Sequence, residues 1–511
     1  MTRLDKFALL LSILIFAAAA FVSLRVYEGM AHIEDEMAYV WQAQVIARGQ
    51  LVTETPGPCP KCFLVPFVVD YNGLRFGKYP PGWPALLAFG ESAGLRAWVN
   101  PLITGLSAWL LYRLVKKLLD ERTALLAQFL FTLSPFVLLN AGSLLSHPWS
   151  LLLALTFILG WLDAFTAPNP ALPARWARTL PAVVAALALG LLALTRPLTA
   201  VGLALPFALH GLYLLQCGDR TARLRLVLFA LLAGGVSAIY FLWQYVLTGD
   251  PLLNPYTLWW PYDQIGFGPG VGLQPGGYRP IHGLLHTRFT LRNGLSDLFG
   301  WPMLSWIFLP FGLWHARKNG RAMLVSSVLV SLVLAYGLYW IGSWVYGPRY
   351  YYEAVFVPVF LTAAGIRWLA GMAAGPRPLI GWARARFVVT GVLVGVLAAG
   401  SLLFYTPMRV GAMQGYARIS SSCLEPFHSL EADRPLLIFV HIQDKYNEYG
   451  CLLDLTNPFY DTEIITAISY GENTEEALRR QFPGRVEMHY YADMGVLLDA
   501  PRLKTPSSGF P

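Results

Sequence analysis

About eleven apolar runs, each of the roughly 17 to 25 residues that span a bilayer, constrain this chain more than any other feature. They begin near Phe7, Trp98, Thr123, Pro148, Thr179, Leu198, Leu226, Phe299, Ala322, Ala354 and Phe387. Inside lipid a run must satisfy its own backbone, so the pattern predicts an all-α polytopic membrane protein with about eleven transmembrane helices. Of 511 residues, 56% are hydrophobic and 13% charged. A soluble domain carries about 25% charged residues. The net charge of +8 does not point to nucleic acid, because the basic residues lie scattered between apolar runs and form no reading face.

Those basic residues report topology. With Arg3 and Lys6 in the cytoplasm, every second connection falls inside and is short and basic: Arg113, Lys116, Lys117 and Arg122; Arg175 and Arg178; Arg220, Arg223 and Arg225; Arg317, Lys318 and Arg321; Arg377, Arg384 and Arg386. The expected protein is a multi-pass resident of the inner (plasma) membrane with a cytoplasmic N-terminus. The first run resembles a signal peptide, with Ala17 to Ala20 near its end, but it reaches about Val26 and so is read as a retained helix. Everything after Phe404 is expected outside.

A long first external connection, from about Tyr27 to Arg96, exceeds ordinary loop lengths and should carry function. It opens with Glu34-Asp35-Glu36, followed by Met37, Val40, Trp41, Gln44 and Val45 at helical spacing. The run reads as an interfacial helix with three acids in its first turn. Helix capping explains acids there, since negative charge gains about 0.3 to 1 kcal/mol at an N-terminus. Further along, Pro80-Pro81 forbids a helix, Pro84 suits the first turn of a short one, and Lys78 stands on the stiff loop before them. A snorkelling lysine is the plain alternative for Lys78. His147 opens the fourth span, Arg196 sits in a tight turn between the fifth and sixth, and Arg349 lies flush against the tenth. An arginine there opposes the topological bias and suits bidentate phosphate binding.

Gly266-Phe267-Gly268-Pro269-Gly270-Val271-Gly272 lacks both a preceding strand and the dinucleotide spacing, and reads as a mobile loop. His282 and His286 share a helix face but lack the glutamate of a metalloprotease motif. Four cysteines fall outside, and Cys59 with Cys62 plus Cys423 with Cys451 is the simplest of three pairings. Past Thr406 the composition turns soluble, with strands expected at Leu436 to Val440, Glu463 to Ile468, Val486 to Tyr491 and Gly495 to Leu498, and a helix opening at Asn473. The chain thus divides into a membrane domain, 1–405, and a small α/β extracytoplasmic domain, 406–511.

The membrane part resembles the GT-C superfamily of polyprenyl-phosphate-dependent glycosyltransferases. Within it, the likeness is to the protein O-mannosyltransferase-like group (glycosyltransferase family 39) that includes the lipid A aminoarabinose transferases. The resemblance is carried by Asp35-Glu36, Tyr39 and Ala43 ahead of Arg48-Gly49, by Lys78-Tyr79-Pro80-Pro81-Gly82-Trp83-Pro84, and by Gly347-Pro348-Arg349-Tyr350. It implies an inverting transfer of a sugar from a membrane-anchored polyprenyl phosphate to a lipid, glycan or protein acceptor outside the cytoplasm. Asp35 takes the family's catalytic position with Glu36 beside it, while Lys78, Arg349 and Arg196 are candidates for the donor phosphate. His147 stands where relatives often carry a second acid. Gly77 replaces a metal-binding glutamate, which argues against the family's zinc site and leaves a divalent cation open; no metal ligand is assigned.

The competing reading is a transporter or lipid flippase, which should show ionisable residues at the bilayer midplane. Asp163 is the clear acid within a span, and it lies near the cytoplasmic end. No internal repeat is visible, against an inverted-repeat transporter.

Overall fold

Helices carry most of the computed structural model, which describes residues 2–166, 176–372, 381–428, 430, 434–443 and 446–501. Arg175, Arg377 and the last ten residues lie outside that description. In chain order the helices are α1 (Arg3–Phe21), α2 (Glu34–Ala47), α3 (Gly82–Ser92), α4 (Arg96–Leu118), α5 (Glu121–Thr132), α6 (Pro135–Gly142), α7 (His147–Phe165) and α8 (Thr179–Ala193). There follow α9 (Pro197–Cys217), α10 (Arg220–Thr248), α11 (Pro255–Trp259), α12 (Pro280–Asp297), α13 (Leu309–Ala316), α14 (Gly320–Gly337), α15 (Phe356–Leu369) and α16 (Trp382–Gly400).

Among the described residues, 6 helices are long and apolar enough to cross a membrane, or 7 if α5 and α6, bent by 60°, form one span. The sequence expected about eleven, and the difference has local causes. Ser134-Pro135 breaks the α5–α6 run, since proline removes a helix hydrogen bond and clashes with the preceding turn. The run from Phe299 yields only the 8 residues of α13, which begins with Pro310 in its first turn. Helices α8 and α15 are shorter than a span, and in α15 every residue from Phe356 to Arg367 is buried by protein.

The short connections meet at one end of the bundle. Lys116 Nζ pairs with Asp5 at 2.8 Å, Lys117 pairs with Asp163, and Arg367 with Asp120. Arg178 and Arg225 both donate to the Ala164 carbonyl, at 3.3 and 3.1 Å. These contacts satisfy carbonyls left open at helix ends. Asp163, the acid singled out within the fourth expected span, is thus accounted for as an ion pair.

The first long connection lies at the other end, and it includes a feature the sequence reading missed. Strands β1 (Thr53–Glu54), β2 (Val68–Tyr71) and β3 (Leu74–Gly77) form an antiparallel sheet in the order β1-β3-β2. Beyond α16, strands β4 (Leu436–His441), β5 (Ile464–Ile468), β6 (Val486–Tyr491) and β7 (Val496–Leu498) form a sheet ordered β5-β4-β6-β7. There β4 is parallel to both neighbours and β7 is antiparallel to β6. The expected strands are therefore present.

Helix α2 sits between these bodies and does not lie on a membrane surface as its apolar spacing suggested. Ala38, Tyr39, Val40 and Ala43 pack with Trp83, Leu87, Leu144 and Tyr346 of the helical bundle. Met37, Trp41 and Val45 pack with Leu436, Ile438 and Val440 of the C-terminal sheet. A helix buried on both faces carries apolar residues all round. Arg48–Asp461 at 2.5 Å and Arg96–Asp454 at 2.6 Å tie the first connection to the C-terminal part. Both disulfides, Cys59–Cys62 and Cys423–Cys451, are formed, and Cys217 is free and exposed.

Candidate active site

Four chain breaks next to apolar runs converge on one cleft with about 410 Å³ of open space. Asp35 comes from the first turn of α2, Lys78 from the residue after β3, Arg196 from the cap of α9, and Arg349 from the short 3-10 helix Arg349–Ala354. Pro197 explains the sharp entry at Arg196, because its fixed φ suits a first helical turn and its missing N–H costs nothing there. Tyr79, Tyr336, Tyr339, Tyr350, Tyr416 and Tyr446 complete a wall that is aromatic with polar tips.

Each basic side chain has an acid beside it. Arg349 Nη2 lies 3.2 Å from Asp35 Oδ2. Lys78 Nζ lies 3.1 Å from Asp263 Oδ2, and Arg196 Nε lies 3.3 Å from Glu353 Oε1. Asp263 also accepts from the Tyr339 hydroxyl at 2.9 Å and Trp340 Nε1 at 3.0 Å, which fixes it as a counterion. Lys78 is 2% exposed and sits 3.8 Å over the Phe67 ring, so it is an enclosed cation and does not snorkel. Burial pushes its ammonium below the ordinary lysine value, against the pull of Asp263 and Asp35.

Asp35 retains a quarter of its side-chain exposure, 25%, and faces the cleft. Tyr79 donates its hydroxyl proton to Oδ1. Burial acts to raise this carboxyl, but Arg349, the Tyr79 hydrogen bond, Lys78 and Arg196 outweigh it and hold Asp35 below the usual aspartate value. It is ionised at neutral pH. Arg349, by contrast, has two nitrogens without acceptors, Nε and Nη1, on a side chain that lines the cleft. A buried donor left unpaired costs about 1 to 3 kcal/mol, so each of these N–H groups is open to an acceptor.

Glu36 is placed differently from its neighbour. It is 1% exposed and absent from the cleft wall. Its Oε2 accepts from the His32 and Ile33 N–H groups at 2.7 and 3.3 Å, and its Oε1 from Leu144 N–H at 2.8 Å. Both oxygens are therefore engaged in joining α2 to the turn before α7, behind the cleft wall. His147 is likewise behind the wall, its Nδ1 3.0 Å from Glu353 Oε1. It touches the cleft only through that shared partner of Arg196.

Asp263 and Glu353 were not singled out from sequence, although a signal existed. Asp263 is the sole acid between Asp250 and Asp297, and Glu353 the sole acid between Asp297 and Glu425. The glycine-rich stretch beyond Asp263, read as a mobile loop, is tied down by bridges between Ile265 and Tyr339 and between Gly268 and Tyr278. His282 Nδ1 accepts from Arg279 N–H at 3.1 Å.

No protein-family model matches the sequence, and no curated protein matches it. Solved structures do. ArnT from Cupriavidus metallidurans bound to undecaprenyl phosphate superposes with a TM-score of 0.58 at 14% identity, covering 95% of this chain and 92% of that one. An Archaeoglobus fulgidus oligosaccharyltransferase in the apo form gives 0.51 at 15% identity, covering 88% of this chain and 65% of that one. The archaeal oligosaccharyltransferase AglB with an inhibitory peptide and a dolichol-phosphate gives 0.50 at 14%, covering 88% and 64%. The chain shares its fold with these structures.

The zinc site of the resembling transferases does not fit the residues present. Gly77 supplies no ligand, and a Cβ built on it would lie 2.4 Å from Gln42 Cδ. Gln42 holds that space by donating to the Tyr79 carbonyl at 2.8 Å. Among the described residues, no group of three metal-binding side chains forms at the cleft.

Proposed function

We propose that this protein is an integral-membrane inverting glycosyltransferase that moves a sugar from a polyprenyl-phosphate donor to an acceptor on the extracytoplasmic side. The observation that carries the reading is the cleft in which an ionised, half-buried Asp35 stands 3.2 Å from an Arg349 whose Nε and Nη1 lack acceptors. The donor phosphate accepts from an open N–H of Arg349, with Lys78 and Arg196 adding positive potential. The acceptor hydroxyl attacks the anomeric carbon, Asp35 takes its proton, and the C–O bond to phosphate breaks with its electron pair leaving on the phosphate. Attack opposite the leaving group inverts the anomeric centre. The residues at the cleft divide into a base and cations for the leaving group, the two parts this chemistry needs. ArnT, the neighbour of similar length, was solved with undecaprenyl phosphate, which supports a lipid carrier of that class.

The same geometry explains how a carboxyl held low becomes an effective base. Its low value comes from Arg349, Lys78 and Arg196. A bound phosphate neutralises those cations, so donor binding raises Asp35 toward the working range. In this reading Glu36 anchors α2 and His147 orients Glu353. The shorter helices complete about eleven crossings, with domains at 1–405 and 406–511, in an inner membrane with the N-terminus cytoplasmic.

The test is transfer from radiolabelled polyprenyl-phosphate sugars by the purified chain. Asp35→Asn should lower turnover by about 10² to 10⁴-fold, the contribution of a positioned base, while donor binding stays near normal. Arg349→Lys keeps the charge and loses the planar set of N–H donors that can serve Asp35 and the phosphate together, so it should weaken donor binding by roughly 1.5 to 3 kcal/mol. Full turnover in Asp35→Asn would remove the glycosyltransferase reading.

A further inference from the structure

Away from the cleft, three side chains of the C-terminal sheet and its helix meet in a way the transfer reaction does not use. His441 ends β4 and His489 lies within β6. Residue 441 pairs with 491 and residue 439 with 489, so the two histidines fall on the same face of adjacent strands. His441 Nε2 and His489 Nδ1 are 3.0 Å apart. Glu475, in the helix Glu472–Gln481, brings a carboxylate oxygen so that all three ligand atoms lie within 4.8 Å of one another.

We infer that His441, His489 and Glu475 form a binding site for a divalent transition metal of the zinc class, independent of the transferase cleft. Burial encloses the group: His489 is 0% exposed and Glu475 4%, the carboxylate being held by the Ser469 hydroxyl on Oε1 and by Arg479 on Oε2. The tautomer supports the site. His489 Nε2 is 2.9 Å from Glu487 Oε1, and an ionised carboxylate only accepts, so Nε2 carries the proton and Nδ1 presents its lone pair to the site. Glu487 is itself held by Arg479, with Nη2 to Oε1 at 2.9 Å. This carboxylate–histidine arrangement is the outer support that metal-binding histidines use.

The separations agree with the chemistry. Two nitrogens at about 2.0 to 2.1 Å from a tetrahedral zinc stand about 3.3 Å apart, close to what the imidazoles already show. Arg479 Nη2 is only 3.5 Å from Glu475 Oε2 and has Glu472 and Glu487 as stronger partners, so a cation displaces it from Glu475 at little cost. The carboxylate closes in by rotation of its own side chain. Two imidazoles and one carboxylate leave a fourth position for water. The metal would join β4, β6 and the helix across one face of the sheet.

The experiment uses the full chain in detergent, stripped with a chelator, incubated with zinc chloride and passed through gel filtration before metal analysis. About one zinc per chain is expected in the parent and in Glu476→Gln, and less than about a tenth in His441→Gln and His489→Gln. Cobalt in place of zinc should give the intense visible bands of a four-coordinate ion in the parent and in Glu476→Gln, and in neither histidine variant. His441 is partly exposed, so His441→Gln decides the matter if His489→Gln fails to fold. A parent that retains no zinc, or a folded His441→Gln that retains as much as the parent, overturns the site.

Discussion

One peptide bond separates Asp35 from Glu36, and the helix puts their side chains about 100° apart, which is enough to send one into a cleft and the other into a nest of backbone N–H groups. Asp35 is held low by cations, whereas Glu36 is pushed up to about 7, burial being the largest cause and outweighing three backbone hydrogen bonds. A carboxyl whose folded value exceeds its unfolded one, about 4.3, holds its proton more tightly when folded. It therefore makes stability fall as pH rises from about 4.3 through about 7, and the effect is level above that. Glu36→Gln mimics the protonated form but turns an amide N–H toward at least one donor, so it should cost about 1 to 3 kcal/mol at about pH 5. Its deficit should shrink toward about pH 8, because the variant lacks the slope. Thermal midpoints of the two proteins in detergent at both pH values check this. Parallel slopes would show that Glu36 does not titrate in that window. Turnover of the folded variant should remain near that of the parent, which separates an anchor from a catalyst.

At the level of elements, the cleft depends on how closely α3 approaches the turn between α8 and α9. Gly82 N–H donates to the Leu194 carbonyl at 2.9 Å, and a Cβ at Gly82 would lie 2.4 Å from Thr195 Oγ1 and 2.8 Å from that carbonyl oxygen. Backbone does not yield as a flexible side chain does, so Gly82→Ala should push the turn and Arg196 with it. The expected cost is about 1 to 3 kcal/mol of stability, the range for an overpacked contact, with a loss of donor affinity. Wild-type donor affinity in a folded Gly82→Ala protein would show that the turn does not position Arg196. The same stretch illustrates what sequence discloses. Pro80-Pro81 and Pro84 announce a stiff loop followed by a helix; Asp35 and Lys78 were singled out through the family resemblance, and Arg196 and Arg349 through their place at breaks beside apolar runs. What stayed hidden is set by distant pairing. The acids that complete the site, Asp263 and Glu353, lie 185 residues from Lys78 and 206 from His147. The glycine at position 82 is required by a carbonyl more than a hundred residues away, and the two-sided burial of α2 by a sheet near the far end of the chain. Local periodicity carries none of these facts.

For the whole molecule, the distribution of charge and sulfur predicts the proposed orientation, which two independent probes test. Lys116, Arg178, Arg225 and Arg367 gather at one end of the bundle, the end that the excess of basic residues assigns to the cytoplasm. The cleft, the first long connection and the C-terminal sheet share the other end, and the disulfides Cys59–Cys62 and Cys423–Cys451 lie there. Disulfides persist in oxidising compartments, so they are expected at the end that the proposed orientation puts outside. Arg48–Asp461 and Arg96–Asp454 hold the C-terminal part against that end, so it cannot lie on the other side once folded. A reporter active only in the cytoplasm, fused after the last residue, should therefore be silent, and one active only outside should give full signal. Cys217, the exposed free thiol at the far end of α9, supplies the complement. It should resist a membrane-impermeant thiol reagent applied to intact cells and react once the membrane is opened. Labelling of intact cells together with a bright cytoplasmic reporter would invert the molecule and place the cleft on the cytoplasmic side, where an extracytoplasmic acceptor could not reach Asp35.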